Sequence, residues 1–246
     1  MKFTAPRRKW DLLFSMKAMI LAAGRGERMR PLTDTTPKSL LQVGGKPLIV
    51  WHVEKLARAG FDALVINHAH LGEMIESTLG NGEYFDIDIV YSPETSALET
   101  AGGIAHALPL LGDQAFAVVN ADIFCDFDFR DLHAEALMLQ DDPSRSAHLV
   151  LVDNPEHHPI GDFVLQNGLL VPEGAPCLTF SGMGIYRPEF FHGIPRGQKA
   201  ALAPLIRAGI SDGRVSGQHF AGNWTDVGTP ARLAQLNQTF QPKVIH

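Results

Sequence analysis

Short apolar segments alternate with helical patterns along most of the chain. Near-continuous apolar runs predict buried strands at 18–23, 63–68, 87–92, 116–121 and 147–152. Strands have this composition when helices cover both faces of a parallel sheet, so that neither face meets water. Between the first two runs, Ile49, Val53 and Leu56 fall on one face of a predicted helix that ends at Gly60. The alternation predicts an open, doubly wound α/β sheet that is mostly parallel.

The pattern changes in the second half of the chain, where turn signals replace crossover helices. Asn167-Gly168 between two apolar segments predicts a hairpin, and 177–191 predicts a strand that continues into a helical turn. Thr229 as N-cap and Pro230 at the first helical position predict a closing helix. This half is therefore expected to add a small antiparallel insertion near the sheet edge.

Length and composition are consistent with one globular unit. The 246 residues, 45% of them hydrophobic, can bury a substantial core, and neither a repeat nor a low-complexity linker divides them. We expect a single domain over 16–246. A second methionine at position 16 directly precedes the first strand, so residues 1–15 are expected to be an N-terminal extension.

Net charge and cysteine content limit which classes of binding partner and which cellular compartment are expected. A formal net charge of −6 argues against a general nucleic-acid surface, which would be basic. Cys125 and Cys177 form neither a disulfide framework nor a zinc ribbon, so a reducing cytoplasm is expected. No apolar run approaches the roughly 18 residues that would span a bilayer. The expected partners are small molecules, without nucleic acid or membrane, and the expected state is a monomer or a small homo-oligomer.

A glycine-rich basic loop, "LAAGRGERMRP" at 21–31, follows the first predicted strand. Ligands of open α/β sheets bind beyond the carboxyl ends of the strands, where this loop lies. The loop matches neither GxGxxG, because Met29 replaces the third glycine, nor GxxxxGK[ST]. Taken alone it could be a solvated turn. With the backbone N–H groups of 24–28 and the side chains of Arg28 and Lys38, it could instead hold a polyphosphate.

Several ordered motifs support the second interpretation. "LAAGRGERMRPLT…PKSLLQVGGKPLI" is followed by "ETAGGI" at 99–104, "VNAD" at 119–122 and "WTDVGTP" at 224–230. Together they resemble the signature of the sugar-1-phosphate nucleotidyltransferases, from Met16 to the C-terminus. The resemblance implies a Rossmann-like nucleotidyltransferase fold and transfer of a nucleotide from a nucleoside triphosphate to a sugar 1-phosphate, with release of pyrophosphate. It implies Arg28 and Lys38 as catalytic residues. The implied nucleotide-binding residues are Leu21, Ala22, Ala23, Gly24, Gly26, Glu27, Arg28, Lys38, Glu99, Gly102 and Gly103.

The chemistry implied by the resemblance needs charge neutralisation rather than a general base. A phosphate monoester has a second pKa of about 6, so the sugar phosphate is already ionised near pH 7. Mg²⁺ binds one or two carboxylates together with phosphate oxygens, and the resemblance implies Asp122 and Asp226 as its ligands. Only the fold can bring these distant residues together. The pairs His157-His158 and His68-x-His70 lack a third ligand at a recognisable spacing, so catalytic zinc is not expected.

One nucleotide-binding position and the sugar side carry the features of a subgroup. Glu99 replaces the glycine that is more common at this position of the family motif. With this glutamate the motif resembles that of the uridylyltransferases acting on N-acetylmuramate 1-phosphate in cell-wall recycling. The resemblance implies that the sugar is bound by Asn120, Asp153, Asn154, Gly161 and Gly182. A family lysine near the sugar phosphate is missing, because Asp153-Asn154-Pro155 replaces Glu-Lys-Pro. The candidates to replace this lysine are His157, His158 and Arg187.

Two other functions remain open from the sequence. One is a mannose-1-phosphate guanylyltransferase or a hexose-1-phosphate uridylyl- or thymidylyltransferase. The other is a non-catalytic nucleotide-sugar sensor that keeps the fold. A sensor would not need a full metal site, so the presence of Arg28, Lys38, Asp122 and Asp226 favours an enzyme.

Overall fold

The computed structural model describes residues 16–241, so the predicted N-terminal extension at 1–15 lies outside the described residues. The strands are β1 (Lys17–Leu21), β2 (Gln42–Val43), β3 (Lys46–Pro47), β4 (Ala63–His68), β5 (Asp88–Pro93), β6 (Phe116–Asn120), β7 (Ile123–Cys125), β8 (Ala147–Val152), β9 (Phe163–Gln166), β10 (Leu169–Val171), β11 (Cys177–Tyr186), β12 (Val215–Phe220) and β13 (Trp224–Asp226). The α-helices are α1 (Leu48–Arg58), α2 (Gly72–Leu79), α3 (Glu99–Leu111), α4 (Phe129–Asp141), α5 (Leu202–Ser211) and α6 (Pro230–Gln238). Short 3₁₀ helices include Glu27–Met29, Lys38–Leu40 and Pro188–Phe191.

One large sheet organises the described part of the chain, in the order β5-β4-β1-β6-β11-β8-β12-β10-β9. Strands β5, β4, β1 and β6 are parallel, with Ile20 of β1 between Ile66 of β4 and Val119 of β6. All five predicted strands are present, with bounds within two residues of those expected. The doubly wound α/β prediction is confirmed. The sheet carries strands from Lys17 to Phe220, and the single domain over 16–246 stays a prediction.

The antiparallel part of the sheet is larger than the sequence predicted. The β9–β10 hairpin lies at the sheet edge, and its turn has positive φ at Asn167 and Gly168, as the Asn-Gly signal requires. Strand β11, however, lies in the middle of the sheet and is antiparallel to both β6 and β8. Strand β11 also pairs antiparallel with β9, with Cys177 opposite Val164. Because β9 is antiparallel to both β10 and β11, these two strands run in the same direction, against β6 and β8.

Hydrophobic cores cover both faces of the sheet. Helices α1, α2 and α4 pack on one face, and α3 and α5 pack on the other. Alternate residues of β1 point to opposite faces, so Ile20 joins the first core and Met19 the second. The predicted face of α1, with Ile49, Val53 and Leu56, is fully buried. Along 16–241, no helix combines the length and apolar character needed to cross a membrane.

A third, smaller core connects the closing helix to the glycine-rich loop. Met29 of the loop packs with Val227 and with Leu236 of α6. The predicted N-cap is present, since the Thr229 hydroxyl accepts a hydrogen bond from the backbone N–H of Arg232 at 3.3 Å. This core places the first turn of α6 beside the loop that follows β1.

Candidate active site

A cavity of about 230 Å³ opens at the carboxyl ends of β1 and β6. Seven of the predicted nucleotide-binding residues line it, namely Leu21, Ala22, Ala23, Gly24, Gly26, Lys38 and Glu99. Its other lining residues are Ser39, Asn67, Ala97, Thr100, Asn120, Ala121 and Asp122. The resemblance therefore identified one side of this cavity. Ser39 lies within the quoted motif next to Lys38 but was not predicted, whereas Asn67 carried no motif by which the sequence could have found it.

The conformation of Gly26 brings the loop against Lys38. Gly26 has φ +70°, a left-handed conformation that glycine adopts without a steric penalty. The Thr33 hydroxyl donates a 2.8 Å hydrogen bond to the Gly26 carbonyl, and a Cβ at position 26 would lie 2.9 Å from Thr33 Cγ2. Glycine at 26 thus allows the loop to close over the lysine.

Glu99 also has a left-handed backbone, with φ +61°. It is the first residue of α3, and a non-glycine residue held there carries a conformational cost of about 1 to 2 kcal/mol. Glycine is the more common residue at this position of the family motif, and the positive φ gives the physical reason for that preference. In this chain a glutamate side chain projects at the rim of the cavity instead.

A second cavity, of about 350 Å³, adjoins the first. It is lined by Arg28, Asn120, Asp122, Ile123, Pro155, His157, His158, Thr179, Phe180, Ser181, Gly182, Trp224 and Asp226. Asn120 and Asp122 belong to both cavities. Asp122 therefore lies at the junction of two spaces that could hold two different substrates.

The fold brings Asp122 and Asp226 together. Strands β7 and β13 pair antiparallel with Asp226 opposite Ile123, and the Val227 N–H donates a 2.7 Å hydrogen bond to the Asp122 carbonyl. The two carboxylates are about a hundred residues apart in the sequence, and the predicted metal site requires that the fold bring them together. Their role as metal ligands stays a prediction.

Each of the two carboxylates is paired with a cation. Lys38 Nζ lies 2.5 Å from Asp122 Oδ2, with only 12% of the lysine side chain exposed. Arg232 Nη1 lies 2.5 Å from Asp226 Oδ1, and His157 Nε2 is 3.0 Å from the same oxygen. Positive charge thus already stands next to both carboxylates. A divalent cation could take the place of these side chains.

The donor set suits a hard cation that keeps ligands from substrate and water. Over residues 16–241, no three or more His, Cys, Asp or Glu side chains converge on a common metal position. Two carboxylates alone leave most of an octahedral sphere to phosphate oxygens and water, which is the mode of binding that Mg²⁺ favours. The residues present therefore fit magnesium.

Arg232 is a candidate residue that the sequence analysis missed. It lies in the first turn of α6, three residues after the N-cap Thr229, and this position turns its guanidinium back to Asp226. The signal was available locally, because the predicted cap fixes where the helix begins. What the sequence lacked was the packing of α6 against the loop.

Strand β7 is anchored from behind by α1. His52 Nε2 donates a 2.9 Å hydrogen bond to the Ile123 carbonyl, and the Lys55 ammonium donates to the Cys125 carbonyl. Burial lowers the pKa of His52 to about 4, so this imidazole is neutral near pH 7. These contacts fix the strand that directly follows Asp122.

Some predicted nucleotide-binding residues do not line the first cavity. Glu27 is exposed and makes ion pairs of 3.0 Å with Arg25 and 3.2 Å with Arg30. Gly102 and Gly103 lie buried within α3, where a Cβ would meet the Gln198 carbonyl and the Glu94 carboxylate respectively. The geometry shows Glu27 within the loop structure and the two glycines in close packing, and the contact of these three residues with a nucleotide stays a prediction. Arg28 lines the second cavity rather than the first.

The predicted sugar-binding residues divide in the same way. Asn120 and Gly182 line the second cavity. Gly182 has φ +80° within a β-bulge between Phe180 and Met183, and a Cβ there would lie 2.6 Å from Asn120 Nδ2. The bulge allows close approach to the cavity floor.

Asp153, Asn154 and Gly161 instead shape the loop beside the cavity and do not line it. Asp153 Oδ1 lies 2.9 Å from His219 Nε2. The Asn154 amide donates to the Cys177 carbonyl at 3.0 Å, and Gly161 packs against both groups. Hydrogen bonds within the protein thus use the amide of Asn154 and one carboxylate oxygen of Asp153, whose side chain is 74% exposed. The geometry assigns loop structure to these three residues, and their direct contact with the sugar stays a prediction.

The three candidates to replace the missing lysine lie in different places relative to the cavities. Arg187 follows β11, which runs against the parallel strands, and it donates to the Leu139 and Gln140 carbonyls at the end of the sheet away from the cavities. Arg187 was therefore a wrong candidate. His157 and His158 do line the second cavity, beside Asp226 and Asp162 respectively.

The segment from the first strand to the hairpin matches the family model described as Nucleotidyl transferase, over residues 17–165. The chain belongs to this family. It is 58% identical over 224 residues to N-acetylmuramate alpha-1-phosphate uridylyltransferase of Neisseria meningitidis serogroup B, covering 89% of this chain and 96% of that protein. It is 38% identical over 230 residues to the enzyme of the same name from Caulobacter vibrioides, covering 88% of this chain and 94% of that protein.

Solved structures of nucleotidyltransferases share the fold of this family member. The crystal structure of a UDP-glucose pyrophosphorylase complexed with UDP-glucose superimposes with a TM-score of 0.75 at 19% identity, covering 92% of this chain and 98% of that one. HddC from Yersinia pseudotuberculosis, complexed with GMP-PN, has a TM-score of 0.74 at 18% identity, covering 92% of this chain and 100% of that one. These similarities confirm the predicted nucleotidyltransferase fold.

Proposed function

We propose that the chain is a magnesium-dependent uridylyltransferase that converts UTP and N-acetylmuramate 1-phosphate into UDP-N-acetylmuramate and pyrophosphate. The observation that carries the proposal is the position of Asp122, next to Asp226 and at the junction of the two cavities. A reaction that joins two phosphorylated substrates needs such a junction, because the reacting phosphorus and oxygen must meet between them. The relatives from Neisseria meningitidis and Caulobacter vibrioides support the choice of substrates.

The first cavity would take the nucleoside triphosphate and the second the sugar 1-phosphate. An oxygen of the sugar phosphate attacks the α-phosphorus and forms the new P–O bond, while the bond from the α-phosphorus to the bridging oxygen breaks and pyrophosphate leaves with that electron pair. The nucleophile is already an anion, so no side chain has to remove a proton. Asp122 and Asp226 would hold Mg²⁺, which when bound neutralises charge on the reacting phosphates.

The protein's own cations would then turn to the substrates. Lys38, released from Asp122, stays beside the glycine loop, where it stabilises the triphosphate and the leaving pyrophosphate. Arg28 and Arg232 flank the second cavity, and the guanidinium of Arg232 is well suited to bind a phosphate through two N–H groups. Arg232 is our candidate for the role of the missing lysine.

The proposal also covers the domain organisation, the compartment and the oligomeric state. We propose a single domain over 16–246 that works in the cytoplasm, as a monomer or a small homo-oligomer, with small-molecule substrates as its partners. Cys125 and Cys177 are both free thiols, which suits a reducing compartment.

A matrix assay tests the proposal. The four ribonucleoside triphosphates and dTTP are each combined with N-acetylmuramate, mannose, glucose and N-acetylglucosamine 1-phosphates in Mg²⁺, and pyrophosphate release is measured. We expect UTP with N-acetylmuramate 1-phosphate to give the highest kcat/KM. A maximum with GTP and mannose 1-phosphate would contradict the substrate assignment and leave the nucleotidyltransferase fold intact. Absence of pyrophosphate in every combination would favour the nucleotide-sugar sensor.

A further inference from the structure

A chain of hydrogen bonds connects the two walls of the first cavity. The backbone N–H of Ala22 donates to Asn67 Oδ1 at 2.9 Å, and Asn67 Nδ2 donates to Glu94 Oε1 at 2.7 Å. The other carboxylate oxygen, Glu94 Oε2, accepts the backbone N–H of Leu98 at 2.8 Å. We call this chain of four residues the Asn67–Glu94 relay.

The relay joins segments that would bind different parts of a nucleotide. Ala22 begins the glycine-rich loop after β1, on the phosphate side of the cavity. Leu98 precedes the left-handed Glu99, and its neighbours Ala97 and Thr100 line the opposite wall. Since Glu94 anchors Leu98, the relay sets the distance between the two walls.

The direction of each hydrogen bond in the relay is fixed by the backbone. Both ends are N–H donors, so an oxygen must face Ala22 and an oxygen must face Leu98. The Asn67 amide therefore turns its NH₂ group to Glu94. A buried carboxylate is the acceptor that satisfies this order. An amide at position 94 would present its own NH₂ to that of Asn67, or lose the bond to Leu98.

The relay keeps a buried negative charge without a counter-ion. Glu94 is 6% exposed and Asn67 is 2% exposed. Among the ion pairs of residues 16–241, none involves Glu94. Gly103 leaves the space that the relay needs, because a Cβ there would lie 2.7 Å from Glu94 Oε1 and 2.8 Å from Asn67 Nδ2. Burial of an unpaired charge is costly, and hydrogen bonds from N–H donors offset that cost.

We propose that Asn67 and Glu94 are positioning residues for the nucleoside triphosphate, which hold the glycine loop and the 97–100 wall at the separation that the nucleotide requires. This inference rests on the proposed function, because it takes the first cavity to be the triphosphate site. Neither residue is expected to touch the reacting atoms. Their loss should weaken triphosphate binding and leave the sugar-phosphate site, which lies on the other side of Asp122, unaffected.

The test exchanges the two functional groups. Glu94→Gln and Asn67→Asp each place like groups against one another, amide NH₂ against amide NH₂ or carboxylate against carboxylate. The double variant N67D/E94Q reverses the central bond. The amide introduced at position 94 accepts from the Leu98 N–H and donates to the carboxylate introduced at position 67. That carboxylate also accepts from the Ala22 N–H. This variant keeps the net charge of the wild type. Glu73→Gln, at an exposed position of α2, is the matched control for loss of one carboxylate.

The affinity for UTP and for N-acetylmuramate 1-phosphate is measured by calorimetry for each protein, with Tm as a folding check. We expect each single variant to bind UTP about tenfold more weakly and the double variant to bind within about twofold of the wild type, with sugar-phosphate affinity unchanged throughout. Three results would each overturn the proposed role of the relay. The single variants could lose affinity for UTP and for the sugar phosphate equally, they could keep the wild-type affinity for UTP, or the double variant could fail to recover affinity for UTP. If the wild type binds UTP and only the variants behave unexpectedly, the relay alone fails. A wild type that binds no nucleoside triphosphate would overturn both proposals.

Discussion

The ammonium of Lys38 and the carboxylate of Asp122, 84 residues apart in the sequence, form a 2.5 Å ion pair at the junction of the two cavities. The pair brings together the chief cation of the loop after β1 and the carboxylate that follows β6. It neutralises the Asp122 carboxylate between two cavities that we propose bind anionic substrates.

Replacement of Asp122 by Asn should abolish most turnover without unfolding the protein. The side chain of Asp122 is about one-third exposed, so stability depends little on its charge. Loss of a charged group that stabilises the transition state typically costs about a hundredfold or more in kcat. The measurement is pyrophosphate release at saturating substrates, with Tm from circular dichroism. Asp126→Asn, at an exposed position of the same segment, is the control that should keep near-normal activity. Near-normal turnover in Asp122→Asn would contradict the metal assignment.

Replacement of Arg232 by Gln should weaken the sugar-phosphate side of the reaction selectively. Loss of one charged phosphate contact corresponds to a rise in KM of about tenfold for the sugar phosphate, with KM for UTP little changed. Arg232→Lys should recover only part of the loss, because lysine lacks the planar fork. Steady-state kinetics with each substrate varied in turn provide the measurement. Arg58→Gln on the exposed side of α1 serves as the charge control. An equal rise in both KM values would argue against the assigned role.

Replacement of Gly182 by Ala should damage both folding and catalysis. Its φ of +80° and the 2.6 Å approach of a Cβ to Asn120 Nδ2 together predict a loss of roughly 1 to 3 kcal/mol in the free energy of unfolding. Displacement of Asn120 should also lower kcat/KM for the sugar phosphate. The comparison is Gly193→Ala, which is exposed and has open space at its Cβ. Urea denaturation and steady-state kinetics are measured for both. Equal stability in the two variants would show that the bulge tolerates a side chain.

Stability should fall on acidification because of His148, far from the proposed metal site. Burial, and to a smaller extent the positive charge of nearby Arg145, lower the pKa of His148 to about 4 from the ordinary 6.5. The unfolded chain therefore takes up a proton at a higher pH than the folded protein does. The free energy of unfolding should decrease as pH falls from 6.5 to 4, by roughly 3 kcal/mol for a shift of this size, and the contribution should be constant above 6.5.

The measurement for His148 is urea denaturation at pH 7 and at pH 4.5. His148→Gln should show a smaller loss of stability between the two pH values than the wild type, because glutamine does not titrate. His192→Gln, at an exposed position, should behave as the wild type does. A wild-type pH dependence that survives unchanged in His148→Gln would rule out this residue as its source.

The sequence alone predicted the elements that depend on neighbouring residues. Apolar runs gave β1, β4, β5, β6 and β8, and the Asn-Gly dipeptide gave the β9–β10 hairpin. The cap at Thr229 gave the start of α6. These features follow from backbone preferences and side-chain periodicity within one segment, so they can be predicted before any tertiary contact is known.

The tertiary structure decided which residues share a cavity. The pairing of β7 with β13 placed Asp226 beside Asp122, and the packing of α6 placed Arg232 on Asp226. Other long-range contacts hold Asp153 and Asn154 in the loop beside the second cavity, where His219 contacts Asp153 Oδ1 and the Cys177 carbonyl accepts from the Asn154 amide. Contacts between residues tens of positions apart depend on strand order and helix packing, and local periodicity contains no record of either. Resemblance to a family supplied the chemistry, and the fold determined which side chains could take part in it.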